Sequence, residues 1–313
     1  MGRVAFVFPG QGSQHVGMGR ALYDSTEEAR QLFHHANTVL GLDLTKLCFE
    51  GPETELKQTA NTQPAILTVS VALWQALDMP CDIVAGHSLG EYSAHVAAGT
   101  LSFDDALQLV RKRGGYMQEA VPVGVGAMAA ILGLDAKVVD AQCRAFSEPD
   151  AAVEAVNYNA PGQVVIAGVK TKVDAVAQAC KEKGGKSIPL PVSAPFHSSL
   201  MQPAEKKLSS DLQDCSFNDP KVPVCVNVNA SLVDRADAAR DALGLQVSRA
   251  VRWQESITRM IAEGVDTFCE IGPGKVLCGL IGRINRDVTR ISVQGPDDLA
   301  NARERIRARR IAQ

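Results

Sequence analysis

Apolar positions along this chain alternate between two periods. Val4 to Phe8 is a short, unbroken apolar run that predicts a buried strand. It ends in the turn Pro9-Gly10-Gln11-Gly12-Ser13-Gln14. Helical spacing follows around Ser25 to Leu40 and again over Gln63 to Leu77. Ile83-Val84-Ala85 is a second strand-like run within 82–90. It leads through Gly86-His87-Ser88-Leu89-Gly90 into a helical stretch, Glu91 to Ala98, and a further helix runs from Phe103 to about Met117. Short apolar runs alternating with helical patterns predict a parallel sheet covered by helices on both faces.

The pattern changes in the middle of the chain. Gly126 to Leu132 reads as a strand and Ala136 to Phe146 as a helix. Ala152 to Tyr158 and Gln163 to Ala167 read as strands around a Pro-Gly turn. Thr171 to Lys183 is a helix and Ser187 to Val192 a strand. That order, βαββαβ, is ferredoxin-like. The expected fold class is therefore α/β: a large α/β-hydrolase-like domain (1–122 and 193–313) with a parallel sheet and a nucleophile elbow, plus a small inserted ferredoxin-like domain (123–192). A helix around Leu200 to Leu212 and strands at Val222 to Val228 and Val265 to Ile271 resume the large domain. The last strand ends in Gly272-Pro273-Gly274.

Composition narrows the class. The chain has 313 residues, 46% hydrophobic and 21% charged, with only 5% aromatics. That balance is ordinary for a soluble globular enzyme and favours an α/β protein over a β-sandwich. A net charge of −3 argues against a general nucleic-acid binder. No apolar run approaches the roughly 20 residues of a membrane span. The N-terminus enters a strand directly, without a signal-peptide pattern. The eight cysteines are dispersed with no C-x-x-C, which suits a reducing cytoplasm, and no His/Cys pair has metal-ligand spacing. The expectation is a cytoplasmic monomer with no metal, no nucleic-acid partner and no membrane partner. Arg303, Arg305, Arg307, Arg309 and Arg310 read as a solvated helix end, with attraction of an acidic partner as the alternative.

Gly86 to Gly90 is a G-x-S-x-G sequence between a strand and a helix, the setting of a nucleophile elbow. Such a turn holds a serine hydroxyl at the top of a sheet, at the positive end of a helix dipole. Ser88 is therefore a candidate for forming an acyl ester. A serine nucleophile needs a base. His87 leaves the elbow in another direction, and His95 is about 10 Å up the following helix at 1.5 Å per residue. His34 and His35 sit in an amphipathic helix, and His15 follows the first turn. His197, in Ser193-Ala194-Pro195-Phe196-His197-Ser198, lies on a loop between a strand and a helix, where a catalytic histidine is commonly presented. No acidic residue stands out to orient it, and a backbone carbonyl could fix the same tautomer.

Arg113 falls inside the apolar stripe formed by Ala106, Leu107, Leu109, Val110 and Met117, whereas Arg111 and Lys112 fall outside it. A guanidinium on an apolar face needs an anionic partner. It either makes an internal salt bridge or clamps an anionic substrate through two parallel hydrogen bonds. Gln11 is either an incidental turn residue or supplies one backbone N–H of an oxyanion hole, with Leu89 supplying the other.

Taken together, these segments resemble the malonyl-CoA:acyl carrier protein transacylases over almost the whole length. The matching segments are Phe6 to Gln14, Thr62-Gln63-Pro64-Ala65, Gly86 to Ser93, Arg113 to Pro122, Asn157 to Gln163, Phe196-His197-Ser198 with Leu200-Met201, and Glu270 to Gly274. The resemblance implies that Ser88 carries the acyl group and that His197 is its base. It implies an oxyanion hole at Gln11 and Leu89, and pairing of Arg113 with the malonyl carboxylate. It further implies a carbonyl at Gln246 orienting the histidine, and Met117 and Asn159 lining the pocket. The substrates would be malonyl-CoA and phosphopantetheinylated acyl carrier protein, with no separate cofactor, and the pathway fatty-acid synthesis. A serine esterase or thioesterase, or a free-standing polyketide acyltransferase, are the competing readings.

Overall fold

The computed structural model describes residues 2–192 and 194–311, so Ser193 of the histidine loop lies outside it. The strands are β1 Arg3–Phe8, β2 Ile83–Gly86, β3 Gly126–Leu132, β4 Val153–Ala160, β5 Gln163–Val169, β6 Lys186–Pro189, β7 Val224–Cys225, β8 Leu232–Val233, β9 Val265–Ile271 and β10 Thr289–Val293. They form a six-stranded sheet, ordered β10-β9-β1-β2-β7-β8, and a four-stranded sheet, ordered β4-β5-β3-β6. In the larger sheet every pairing is parallel except β7 with the edge strand β8.

β1 lies near the middle of the larger sheet, and residues Val4 to Phe8 are all fully buried. Successive side chains point to opposite faces. Val4, Phe6 and Phe8 pack into one apolar cluster, and Ala5 and Val7 into another built around Trp253, Ile257 and Phe268. A run with no polar position is what a strand covered on both faces requires. Burying side chains of this size contributes about 1.5–3 kcal/mol each. Register then fixes where chemistry can occur. Phe8 pairs with Gly86, so the Pro9 turn and the His87-Ser88 turn leave the carboxyl edge side by side. The His87 N–H donates to the Phe8 carbonyl at 3.0 Å.

The helix Thr59–Leu77 begins four residues before the expected Gln63, although Pro64 lies inside it. Proline has no N–H, so the carbonyl of Ala60 loses its helical donor. The guanidinium of Arg111 supplies one instead, at 2.8 Å. This helix packs against Phe103–Glu119 at close range. A methyl on Gly114 would lie 2.6 Å from the Cα of Ala60, whereas one on Gly115 would meet nothing within 4 Å.

In the smaller sheet all pairings are antiparallel, and the helices Ala136–Phe146 and Lys170–Glu182 complete the βαββαβ order. β4 carries two irregularities in its pairing with β5. Between them the strand also bridges to Val251, with the Tyr158 N–H donating to the Val251 carbonyl.

Several elements differ from expectation. The apolar run Val222 to Val228 forms only the two-residue β7. The chain turns away after Cys225 and delivers Asn227, a buried polar residue, into the site. Ser187 to Val192 yields the shorter Lys186–Pro189. β8, β10 and the helices Ala236–Gln246, Trp253–Ala262 and Val276–Ile284 are additions to the sequence reading. The arginine-rich end is a helix, Pro296–Ile311, and it is only partly solvated. Arg303 donates to the Ala76 and Leu77 carbonyls, and Arg310 to Pro80 and Asp82. Among the described residues no helix is long and apolar enough to cross a membrane, and no group of three His, Cys, Asp or Glu is placed to hold a metal. The buried thiols of Cys48 and Cys225 are pushed up to about 12 by desolvation, as expected of inert core residues.

The two adjacent glycines give a test of the packing. Gly115→Ala should raise stability by about 0.5–1 kcal/mol through helix propensity alone. Gly114→Ala should lower stability because the two helices must separate. Thermal unfolding followed by circular dichroism checks both, and equal shifts would contradict the close approach at Ala60.

Candidate active site

Ser88 stands between β2 and the helix Gly90–Ala97 with φ +51, a left-handed conformation that is uncommon outside glycine. Its neighbours permit the turn by lacking side chains. A Cβ on Gly86 would lie 1.9 Å from the Gly90 carbonyl carbon, and one on Gly90 would lie 2.0 Å from the Phe8 oxygen. The glycines serve close backbone approach, and the strained φ falls on the serine itself. His197 also has a positive φ, +64. Such conformations cost on the order of 1–3 kcal/mol each and concentrate at functional sites.

The Ser88 hydroxyl lies 2.7 Å from Nε2 of His197. On the other side of the ring, Nδ1–H donates to the main-chain carbonyl of Gln246 at 2.8 Å. That bond leaves Nε2 with a free lone pair, the tautomer that can accept a hydroxyl proton. Burial pushes the imidazole down to about 3, and the nearby Arg113 charge pushes the same way. His197 is therefore neutral in the resting site at ordinary pH.

Arg113 is fully buried, and none of its partners is a carboxylate. One terminal nitrogen donates to Oε1 of Gln63 at 2.8 Å. The other donates to Oε1 of Gln246 at 2.8 Å and to the Ser88 hydroxyl at 3.2 Å. The guanidinium stands 5.6 Å over the Tyr92 ring, and its Nε has no partner among the described residues. Among those residues its hydrogen bonds all go to neutral groups and the buried Glu91 carboxyl acts on it only from farther off, so a direct internal salt bridge does not explain it. Burial lowers its pKa, yet arginine remains protonated in proteins.

A cavity of about 110 Å³ opens onto these groups, lined in part by Gln11, Leu89, Met117, Asn157, Phe196 and His197. A single water needs about 10–15 Å³ of such space, so this is room for a small acyl group. Gln11 and Leu89 both face it, and no protein acceptor takes either backbone N–H among the described residues. Asn159 is placed one layer back. Its Oδ1 accepts from Nε2 of His87 at 2.8 Å, and His87 and Asn157 form the wall. The broken alternation of β4 accounts for this offset. Met117 lines the cavity and accepts a weak bond from the Gln63 amide.

The remaining histidines lie elsewhere. His95 is buried with no hydrogen-bond partner among the described residues and is pushed down to about 3 by burial. His34 and His35 pair with Tyr23 and Asp104 on the surface, and His15 is exposed. Glu270 accepts from the N–H groups of Leu277 and Cys278, a structural cap on the helix Val276–Ile284.

Sequence reasoning missed Gln63, Asn227 and Glu91 as site components. Asn227 Oδ1 accepts the Ser88 N–H at 2.7 Å. A signal existed for it, since Asn227 interrupts the apolar run Val222 to Val228. Gln63 stood in a quoted motif but carried no assigned role.

The arrangement is a serine with a neutral base, two free N–H groups and a buried cation in one small cavity, which is the equipment for moving an anionic acyl group. Comparison with known proteins agrees. The family model described as "Acyl transferase domain" matches residues 5–295. The malonyl CoA-acyl carrier protein transacylase of Bacillus subtilis (strain 168) is 48% identical over 303 residues, covering 96% of both chains. A crystal structure of an acyl carrier protein S-malonyltransferase from Vibrio cholerae superposes with TM-score 0.93 at 43% identity, covering 96% of this chain and 99% of that one. A type II PKS acyl-carrier protein in complex with its malonyl-transacylase gives TM-score 0.94 at 44% identity for the transacylase, covering 97% and 99%. The chain belongs to the acyl transferase family, among the malonyl CoA-acyl carrier protein transacylases.

Proposed function

We propose that this protein moves a malonyl group from malonyl-CoA to the phosphopantetheine thiol of acyl carrier protein by a ping-pong route, supplying fatty-acid synthesis. The observation that carries this reading is Arg113, a buried cation without a carboxylate partner, 3.2 Å from the Ser88 hydroxyl. A simple esterase has no use for such a charge, whereas a malonyl group brings the missing carboxylate.

His197 Nε2 takes the Ser88 proton as Oγ attacks the thioester carbonyl. The oxyanion forms between the Gln11 and Leu89 N–H groups. The carbon–sulfur bond breaks, and CoA leaves as thiol with the proton returned by His197. In the second half, His197 takes the proton of the carrier thiol, whose sulfur attacks the malonyl-serine ester. Ser88 Oγ leaves and regains the proton. Gln246 holds the ring through its carbonyl, and Met117 limits the acyl group, with Asn159 acting through His87. All of these groups come from one chain, and the reaction needs no cofactor beyond its two substrates. Residues 123–192 serve as the small domain on the large one, and the reaction belongs in the cytoplasm.

Three outcomes test the reading. Ser88→Ala should form no malonyl adduct by intact mass after incubation with malonyl-CoA, and an adduct at wild-type level would remove Ser88 as nucleophile. Arg113→Ala should lower kcat/KM for malonyl-CoA about a hundredfold while changing acetyl-CoA use much less, since each hydrogen bond to a charged partner contributes about 1.5–3 kcal/mol. Equal losses would make Arg113 structural. The third concerns pH. Free-enzyme His197 is held down to about 3, partly by Arg113. A bound carboxylate neutralises that charge, so the imidazole pKa should rise in the complex. The acid limb of single-turnover acylation at saturating malonyl-CoA should then lie at higher pH than the limb of kcat/KM. Coincident limbs would count against the coupling.

A further inference from the structure

Two fully buried polar side chains, Glu91 and Asn227, lie directly behind the nucleophile and take no part in the chemistry above. Asn227 spans the turn with one amide. Its Oδ1 accepts the Ser88 N–H at 2.7 Å, and its Nδ2 donates to the Gly86 carbonyl at 2.7 Å. The amide orientation follows from these partners, because a flipped amide would face donor to donor and acceptor to acceptor. The backbone of Asn227 is also fully engaged. Its N–H donates to Oε2 of Glu91 at 2.7 Å, and its carbonyl accepts from the Arg252 N–H at 2.9 Å. Glu91 comes from the first turn of the helix that follows Ser88, so the loop of contacts closes on the elbow itself. The Ser88 carbonyl accepts from the Gln246 side-chain amide at 3.0 Å, and the same Nε2 reaches Asn227 Oδ1 at 3.5 Å.

Nothing in local backbone preference favours φ +51 at a serine. β1 reaches the turn on one side through the bond from the His87 N–H to the Phe8 carbonyl, but on the other side β7 ends at Cys225, so its ladder hydrogen bonds stop short of the turn. The Asn227 amide supplies that missing partner, bonding one group before the turn and one at its apex. Glu91 in turn fixes Asn227 at a position where no regular element holds it.

We propose that Asn227, anchored by Glu91, is a positioning residue that sets the Ser88 Oγ at its 2.7 Å contact with His197. The proposal rests on the reading of Ser88 as the acylated nucleophile. Neither residue touches the acyl group. Their effect runs through the serine backbone, where a displacement of about 1 Å can cost about a hundredfold in rate.

The test is the rate and amplitude of Ser88 labelling, read by intact mass, with two reagents. One is malonyl-CoA. The other is a small aryl fluorophosphonate, which reports the nucleophile without depending on malonyl recognition. Failure of the malonyl reading would abolish only the first signal in the wild-type protein. Asn227→Ala and Glu91→Ala are expected to lower the labelling rate constant at least tenfold with both reagents, at full amplitude. Glu91→Gln keeps an oxygen acceptor for the Asn227 N–H and is expected to restore the rate to within about threefold. Asn227→Asp keeps the size of the side chain but turns an acceptor toward Gly86. It is expected to be slow as well, and it carries the test if Asn227→Ala does not fold. A reduced amplitude with a wild-type rate constant would show a merely structural role and overturn the proposal. So would equal defects in Glu91→Gln and Glu91→Ala, because the anchor would then not act as a hydrogen-bond acceptor.

Discussion

The buried charge of Arg113 is the constraint around which the site is arranged. A guanidinium out of water costs several kcal/mol unless it is compensated. Its direct contacts here are neutral groups, two side-chain amides, a hydroxyl and an aromatic face, while the buried Glu91 carboxyl acts on it from beyond contact. These acceptors and π-electrons satisfy the donors of the guanidinium without placing an opposite charge in contact with it. The site therefore keeps a net attraction for an anion, and a carboxylate entering the cavity finishes an arrangement that the fold leaves open.

That arrangement draws in distant parts of the chain. Gln63 reaches Arg113 because two helices approach closely enough at Gly114 to exclude a methyl group. Gln246 links three functions at once. Its carbonyl fixes the His197 tautomer, its Oε1 takes Arg113, and its Nε2 takes the Ser88 carbonyl. A change at the carboxylate-binding end is thus felt at the base and at the nucleophile through one residue. The same charge depresses the imidazole pKa, so substrate binding and base strength are coupled electrostatically.

Strain is distributed across the same groups. Ser88 and His197 both adopt left-handed backbone conformations; polar contacts hold the Ser88 backbone on both sides, and the Gln246 carbonyl holds the His197 ring. Such conformations persist only when the surroundings over-determine them. The close-packed glycines, the Asn227 amide and the Gln246 side chain together supply that over-determination at the elbow.

Much of this was legible in the sequence because it depends on local periodicity. The buried runs of β1 and β9, the βαββαβ order of the smaller sheet and the strand–Gly–x–Ser–x–Gly–helix context all follow from short-range patterns. Ser88, His197 and Arg113 could be singled out because each broke or completed such a pattern. The tertiary structure alone decided which groups meet. Asn227 is 139 residues from Ser88 in sequence and Gln246 is 158, so no local rule connects them. The offset of Asn159 behind His87 depends on the irregular register of β4, set by pairing with β5 and Val251. Local preference fixes the elements and marks unusual residues, but hydrogen-bond partners within a buried site are fixed by long-range packing, which must satisfy every polar group it encloses.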